Sequence, residues 1–326
     1  MASDFHAPIS RAALKPASWL WAAVTARRIA KTEGVDVGVP VISVGNLTVG
    51  GSGKTPVTRE LLKLLRDMGH TPAALSRGYG GKLEGPVQVD LAVHTAAEVG
   101  DEPLMLAQDG MAFISRDRVA GAKAAVAAGA DIIVLDDGHQ NPSLKKSLSL
   151  IVVDGETRHQ EWPFGDGSVF PSGPMREPFK AGMARADAVI VLLPTDLDDA
   201  DPELVALFGP TPVFTAKLMA VEDPPAGPQV GFAGIAKPWK VERSLIAAGC
   251  DLKDFIPLPD HAELSTQTFE FIKDRAAVFD AELVTTEKDW VRLPQKWRQS
   301  VNFWPLRVKF DNLRDFKGLI AQLLSA

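Results

Sequence analysis

Cysteine is almost missing from the 326-residue sequence, Cys250 being the single one. That excludes an internal disulfide and favours a reducing compartment. Positive charge is also in short supply. A formal net charge of −6 speaks against a general nucleic-acid binder, whose phosphate contacts need surplus Lys and Arg. No fixed-period repeat or low-complexity tract occurs, and nothing suggests wholesale disorder, collagen or coiled coil. What is present is ordinary globular composition: 46% hydrophobic, 23% charged, 27 Gly and 24 Pro. The length suits roughly two domains of about 150 residues, enough to bury a sizeable core.

Charge is uneven along the chain. Residues 1–31 hold Arg11, Lys15, Arg27, Arg28 and Lys31 against Asp4, a net +4 that leaves −10 for the rest. Between these cations lies PASWLWAAVTA, where Ala17, Leu20, Trp21 and Val24 follow helical spacing and predict an amphipathic helix from about Pro16. The run is too short to span a bilayer, which needs about 20 residues. A signal peptide competes with this reading, although Arg27 and Arg28 follow at once and no clean cleavage site is present. The favoured expectation is an interfacial helix with Trp19 and Trp21 at headgroup level; a helix docked on its own domain is the alternative.

Beyond it, short apolar runs alternate with helical patterns. Strands are predicted at Val39–Gly45, TPAALS, Ala130–Leu135, LSLIVVD and DAVIVLL, and helices over Thr55–Met68, Glu98–Gln108 and Arg118–Ala128. This implies an α/β fold with a mostly parallel sheet flanked by helices, which binds ligands at strand C-terminal ends. After the acidic stretch TDLDDADPEL a second, smaller α/β region follows, with strands PVFTAKL, QVGFAGI and ELVTTEK and an amphipathic last helix. The expected organisation is a basic membrane-associating segment over 1–31, a phosphate-loop domain over 32–195 and a second domain over 196–326, with packing of the last helix on the second domain or back on the first left open by the sequence.

The strongest chemical signal is TVGGSGKT, comprising Thr48, Val49, Gly50, Gly51, Ser52, Gly53, Lys54 and Thr55, between a predicted strand and a predicted helix. Glycines let successive N–H groups curl inward, and the helix N-terminus adds positive potential, which together cradle phosphates. Lys54 would reach the β and γ phosphates of ATP and the Thr55 hydroxyl would ligate Mg²⁺. Thr48 stands where the usual pattern begins with Gly. The run IIVLDD ends in Asp136 and Asp137; Asp136 is placed to meet the metal across the sheet edge, with Asp137 a second candidate that otherwise binds substrate or caps the turn. Adjacent carboxylates point apart and should differ in role.

The motif order GNLTVGGSGKTP, SRGYG, GDEP, DDGHQN, GPMREP, PDH and TTEKD resembles the tetraacyldisaccharide 4'-kinase family, from the basic helix to about residue 293. The resemblance implies a phosphate-loop kinase that moves the γ-phosphoryl of ATP to the 4'-hydroxyl of a tetraacylated glucosamine disaccharide 1-phosphate, a step of lipid A biosynthesis. It also implies a peripheral or monotopic enzyme on the cytoplasmic face of the inner membrane, with the lipid disaccharide as substrate and no obligate protein partner.

By the same resemblance Asp101 is the base that receives the hydroxyl proton, His261 its partner and Glu102 an acidic group near the metal. Glu177 is implied near the nucleotide. Arg77 and Tyr79 of SRGYG and Arg118 of SRDRVAG are candidate substrate contacts, as is Arg116, although arginines at a helix start are as often solvated. Gly81 replaces a basic residue common in the family, and DDGHQN puts His139 and Asn141 where the family frequently has an aromatic and a histidine. Lys288 and Asp289 are adjacent, so a guanine-specificity motif is not matched. The alternative to a kinase is a membrane-associated ATPase or switch that acts on a protein partner; a soluble small-molecule kinase is a third.

Overall fold

The computed structural model describes residues 11–158, 161–260 and 264–324. In chain order the first half comprises α1 (Arg11–Lys31), β1 (Val41–Gly45), α2 (Lys54–Asp67), β2 (Pro72–Ser76), β3 (Val87–Gln88), α3 (Ala96–Val99), α4 (Asp101–Gln108), β4 (Ala112–Ile114), α5 (Arg118–Ala127), β5 (Ile132–Asp136) and β6 (Leu148–Asp154). The second half continues with α6 (Phe179–Met183), β7 (Ala188–Leu193), α7 (Pro202–Ala206), β8 (Val213–Ala220), β9 (Pro228–Ala233), α8 (Pro238–Ala247) and β10 (Asp251–Pro257). It closes with α9 (Thr266–Val278), β11 (Glu282–Thr286), α10 (Glu287–Arg292), α11 (Gln295–Arg298), β12 (Val301–Trp304), β13 (Leu306–Phe310) and α12 (Leu313–Leu324).

Two sheets result. The large one has the order β13-β8-β7-β6-β1-β5-β2-β4-β3 and the small one β10-β9-β11-β12. The large sheet is parallel except at its edges, where β3 and β13 pair antiparallel. Every pairing in the small sheet is parallel. Apolar runs build these strands because both faces are covered. Ile42 and Val44 of β1 enter a core shared with Leu61 and Leu65 of α2, while Val41 faces Ala122 and Ala125 of α5. In β6, Leu150 and Val152 take the first face, and Ile151 and Val153 pack with Phe164 and Phe208. Period-two alternation thus serves two cores at once.

The expected division at 195/196 does not follow the sheets. β8 and β13 pair with each other inside the large sheet, so the small sheet is inserted between residues 220 and 306. α12 also returns to the large sheet. Phe316 stacks on Phe310 with centroids 4.3 Å apart and meets Phe214 at 5.2 Å, so aromatic burial draws the last helix back. Gly100 (φ 93°) splits the helix expected over Glu98–Gln108 and makes Asp101 the first residue of α4.

α1 starts at Arg11 and contains Pro16 in its interior rather than at its first turn. Most of its expected apolar stripe faces away from the protein, Trp21 excepted. Leu20 and Val24 are exposed, while Ser18 and Thr25 are buried. Small polar residues permit this close approach: the Ser18 hydroxyl donates to Ser172 Oγ at 2.8 Å and accepts from Ser172 N at 3.0 Å. Trp21 differs from its expected place at headgroup level, since its Nε1 donates to the Arg176 carbonyl at 3.0 Å and its ring packs edge-on against Phe170. Among the described residues no helix is long and apolar enough to cross a membrane.

Candidate active site

The phosphate-loop segment leaves β1, whose last residue is Gly45, and enters α2 at Lys54. Gly50 and Gly53 hold φ values of 101° and 80°, a region that side chains strain to enter. Space constrains Gly53 as well, because a Cβ there would lie 2.2 Å from Leu192 Cδ2. The outer limb of the loop is tied down: Val49 N donates to the Pro174 carbonyl at 2.8 Å, and Arg176 Nε donates to the Thr48 carbonyl at 2.9 Å. Lys54 is mostly buried. Desolvation lowers its pKa, and Asp137 at 3.6 Å opposes that shift.

Asp136 ends β5 in register with Val44 of β1. Its carboxylate accepts from Thr55 Oγ1 at 3.2 Å and Thr58 Oγ1 at 3.0 Å, and burial raises its pKa. Asp137 turns the other way because its backbone is left-handed (φ 58°). It accepts from Arg176 Nη1 at 2.9 Å; burial would raise its pKa, but Lys54 and Arg176 outweigh that and hold it low. The two carboxylates therefore diverge. Ser52 Oγ and Asp137 Oδ1 are buried without a hydrogen-bond partner. Oxygen donors beside a phosphate loop, with one desolvated carboxylate, suit a hard cation such as Mg²⁺. Among the described residues no three His, Cys, Asp or Glu side chains gather into a metal cage, which agrees with Mg²⁺ relying on one or two carboxylates plus phosphates and water.

GDEP lies against SRGYG. A Cβ on Gly100 would come within 2.5 Å of the Tyr79 carbonyl, and one on Gly81 within 2.6 Å of the Glu98 carbonyl. The glycine at position 81 is thus explained by backbone that occupies the space of a side chain. Asp101 is buried, and Arg292 of α10 donates to it from Nε at 2.8 Å. Lys288 reaches Glu102 at 2.7 Å and Asp101 at 3.7 Å. Burial would raise the Asp101 pKa, but the hydrogen bond from Glu102 and the charges of Lys288 and Arg292 push it below the usual range. Glu102 moves up, through burial and its bond to Asp101. The two acids are thus pushed apart in pKa, Asp101 downward and Glu102 upward.

A cleft of about 1230 Å³ unites these groups. Val49 to Thr55, Arg77, Tyr79, Glu102, Arg118, Asp136 and Asp137 line it from the large sheet, Thr285 to Lys288 from the small one, and Trp21 and Arg28 from α1. Tyr79 is exposed. Arg118 is buried with its Nε lacking a hydrogen-bond partner, and burial with Arg77 nearby lowers its pKa to about 10. Four expected residues stand apart. Asp101 is buried and is not part of the lining. Thr48 lines a smaller adjoining cavity. Glu177 does not reach the cleft; both its oxygens accept from Arg185 at 2.7 Å, and Gln140 donates to it at 3.1 Å. His261 lies outside the described residues. His139 is structural in its contacts: its ring nitrogens meet Ser149 Oγ and the Gly182 carbonyl, each at 3.0 Å.

Lys288 and Arg292 are the site residues that sequence reasoning passed over. Their signal was a cluster of charges immediately after the run ELVTT, at a strand C-terminal end like the phosphate loop itself.

Comparison with known proteins agrees with this geometry. A family model described as tetraacyldisaccharide-1-P 4'-kinase (LpxK) matches residues 10–325. A tetraacyldisaccharide 4'-kinase of Caulobacter vibrioides is 62% identical over 318 residues, covering 98% of this chain and 95% of the relative. One from Phenylobacterium zucineum is 61% identical over 305 residues, covering 94% and 92%. Among solved structures, LpxK from Aquifex aeolicus in complex with ATP superimposes with a TM-score of 0.76 at 27% identity, covering 96% of this chain and 99% of that one.

Proposed function

This chain belongs to the tetraacyldisaccharide 4'-kinase family, and from that premise we propose how its own residues divide the work. The reaction is ATP-dependent phosphorylation of the 4'-hydroxyl of a tetraacylated glucosamine disaccharide 1-phosphate, a step of lipid A biosynthesis. One observation carries the assignment of residues. The phosphate loop, Asp136, Asp137 and Glu102 line one cleft, and Asp101 is the buried residue that precedes Glu102.

Lys54 and the loop amides hold the β and γ phosphates, where Lys54 faces charge that spreads over the transferring oxygens. Thr55 and Asp136 would hold Mg²⁺, with Glu102 beside them, and the metal would supply charge neutralisation for the transferring phosphate. Asp101 receives the proton of the 4'-hydroxyl as that oxygen bonds to the γ phosphorus and ADP leaves, a contribution of about 10²- to 10⁴-fold for a positioned base. His261 is its proposed partner. Arg77, Tyr79 and Arg118 contact the anionic sugar, Asp137 fixes Lys54 on the substrate side, and Glu177 serves the nucleotide side indirectly through Gln140.

α1 is proposed as the membrane contact on the cytoplasmic face of the inner membrane. Trp19, Leu20 and Val24 point outward beside Arg27, while Trp21 and Arg28 line the catalytic cleft. Apolar groups thus enter the interface while cations meet anionic lipid, and the same helix borders the place where a lipid must react.

The test is incubation of the purified protein in detergent with labelled ATP, Mg²⁺ and monophosphorylated tetraacyl disaccharide, followed by resolution of the lipids. Stoichiometric bisphosphorylated lipid is expected. ATP consumption that ignores the lipid would favour an ATPase or switch.

A further inference from the structure

α10 is only six residues long, yet it joins three parts of the molecule. Thr286 caps it, accepting from Asp289 N at 3.0 Å, and the Asp289 carboxylate accepts from Gly234 N at 3.1 Å. These bonds seat the helix in the small sheet. Glu287 reaches Arg59 of the phosphate-loop helix α2 at 2.8 Å and Arg307 of β13 at 3.0 Å. From the same turn, Lys288 and Arg292 extend to the first two residues of α4.

The geometry points to Lys288 and Arg292 as positioning residues for the Asp101–Glu102 pair, a role that rests on Asp101 being the base. The guanidinium of Arg292 is fixed at its far end, since Nη1 donates to the Gly234 carbonyl at 3.0 Å and to Asp289 at 3.1 Å. Its Nε and Nη2 remain for one oxygen of Asp101, so the planar fork sets the orientation of that carboxylate. Lys288 instead acts as a point charge between both acids. Two adjacent buried carboxylates repel, and without nearby cations the pair would retain a proton on either member.

Among the described residues several charged groups surround the pair, and His261, the proposed partner of Asp101, lies outside them. Glu102 comes from α4 itself, and Lys288 and Arg292 come from α10, with Asp289 behind Arg292. Lys54 faces Glu102 from the phosphate loop. Arg59 of α2 is engaged by Asp109 and Glu287, and Glu98 of α3 bonds Thr95. The α10 cations favour the ionised form of Asp101, which Arg292 holds by two donors. Removing either raises the pH at which Asp101 loses its proton, so the acidic limb of the rate profile moves to higher pH.

The experiment records kcat, KM and the pH profile for Lys288→Met, Arg292→Gln and Arg292→Lys, with Asp101→Asn and thermal midpoints alongside. In Lys288→Met and Arg292→Gln, kcat is expected to fall about 10- to 100-fold, the range of a misplaced base. The KM for ATP stays nearly constant and the acidic limb moves up. Arg292→Lys restores charge without the fork, so it recovers the limb more than kcat. If the limb stays fixed in the Lys288 and Arg292 variants while Asp101→Asn is inactive, the base stands and the positioning role is overturned. Wild-type turnover by Asp101→Asn would overturn both. Should Arg292→Gln fail to fold, the Lys288→Met and Arg292→Lys profiles decide.

Discussion

Lys54 sits desolvated at the first residue of the helix that follows the phosphate loop, with Asp137 as a close counter-charge. A cation held in this way acts most strongly on charge that develops during transfer, so Lys54→Ala should lower kcat by at least about 10³-fold, as read by labelled-phosphate transfer. Retention of a tenth of wild-type turnover would contradict that role. His139 makes a different prediction. Burial, with Arg185 second, lowers its pKa from 6.5 to about 3, so the folded protein keeps it neutral where the unfolded chain protonates it. The unfolded state then binds more protons between these values. Stability is therefore fully present above about pH 6.5 and falls as acid is added, by up to about 1.4 kcal/mol per pH unit. His139→Gln should flatten this part of the stability curve in denaturant titrations at pH 7 and 5. At this scale the phosphate loop was legible because its chemistry lies within eight consecutive residues. Arg292 was not, because its partner Asp101 is 191 residues away. Glu177 was placed by resemblance, whereas its ion pair with Arg185 is a matter of folded geometry.

Among the elements, α2 and α10 are bound by a buried charge network. Arg59 pairs with Asp109 and Glu287, and all three groups are largely withdrawn from water. Removing one member of such a network strands the others, so Arg59→Met should cost on the order of 3–5 kcal/mol, read as a lowered unfolding midpoint. An unchanged midpoint would mean that water reaches Glu287 freely. α1 carries the second prediction at this scale. Its exposed Trp19 and Leu20 should each contribute about 1.5–3 kcal/mol when buried in lipid, so Trp19→Glu with Leu20→Glu should reduce cosedimentation with anionic vesicles at least about tenfold. Equal cosedimentation would remove α1 as the anchor. Central strands such as β1, β5 and β7 were readable from their apolar runs. β10 and β13 were not, because each mixes charged and apolar residues; β10 has no fully buried position, and β13 buries only Val308 and Phe310. The inward face of α1 escaped the sequence: Ser18 docks by hydrogen bonding and Thr25 by fit, which hydrophobic spacing does not record.

For the whole molecule, two α/β layers were legible from the repeated strand and helix pattern. The interruption of the large sheet was not, since the pairing of β8 with β13 joins segments nearly a hundred residues apart. That pairing places Thr285 to Lys288 opposite the phosphate loop across one cleft. α1 borders the same cleft through Trp21 and Arg28, so the helix proposed to meet the membrane adjoins the phosphate loop and Glu102. The arrangement suits a sugar hydroxyl presented by a lipid that remains partly in the bilayer. The most direct test of this account is a single-turnover reaction of the Mg²⁺–ATP complex with a tetraacyl disaccharide 1-phosphate, with the position of the new phosphate read by NMR. The account predicts one phosphate on the 4'-oxygen for each ATP consumed, lost in Lys54→Ala; ATP consumed without a lipid phosphate, or phosphate at another hydroxyl, would contradict it.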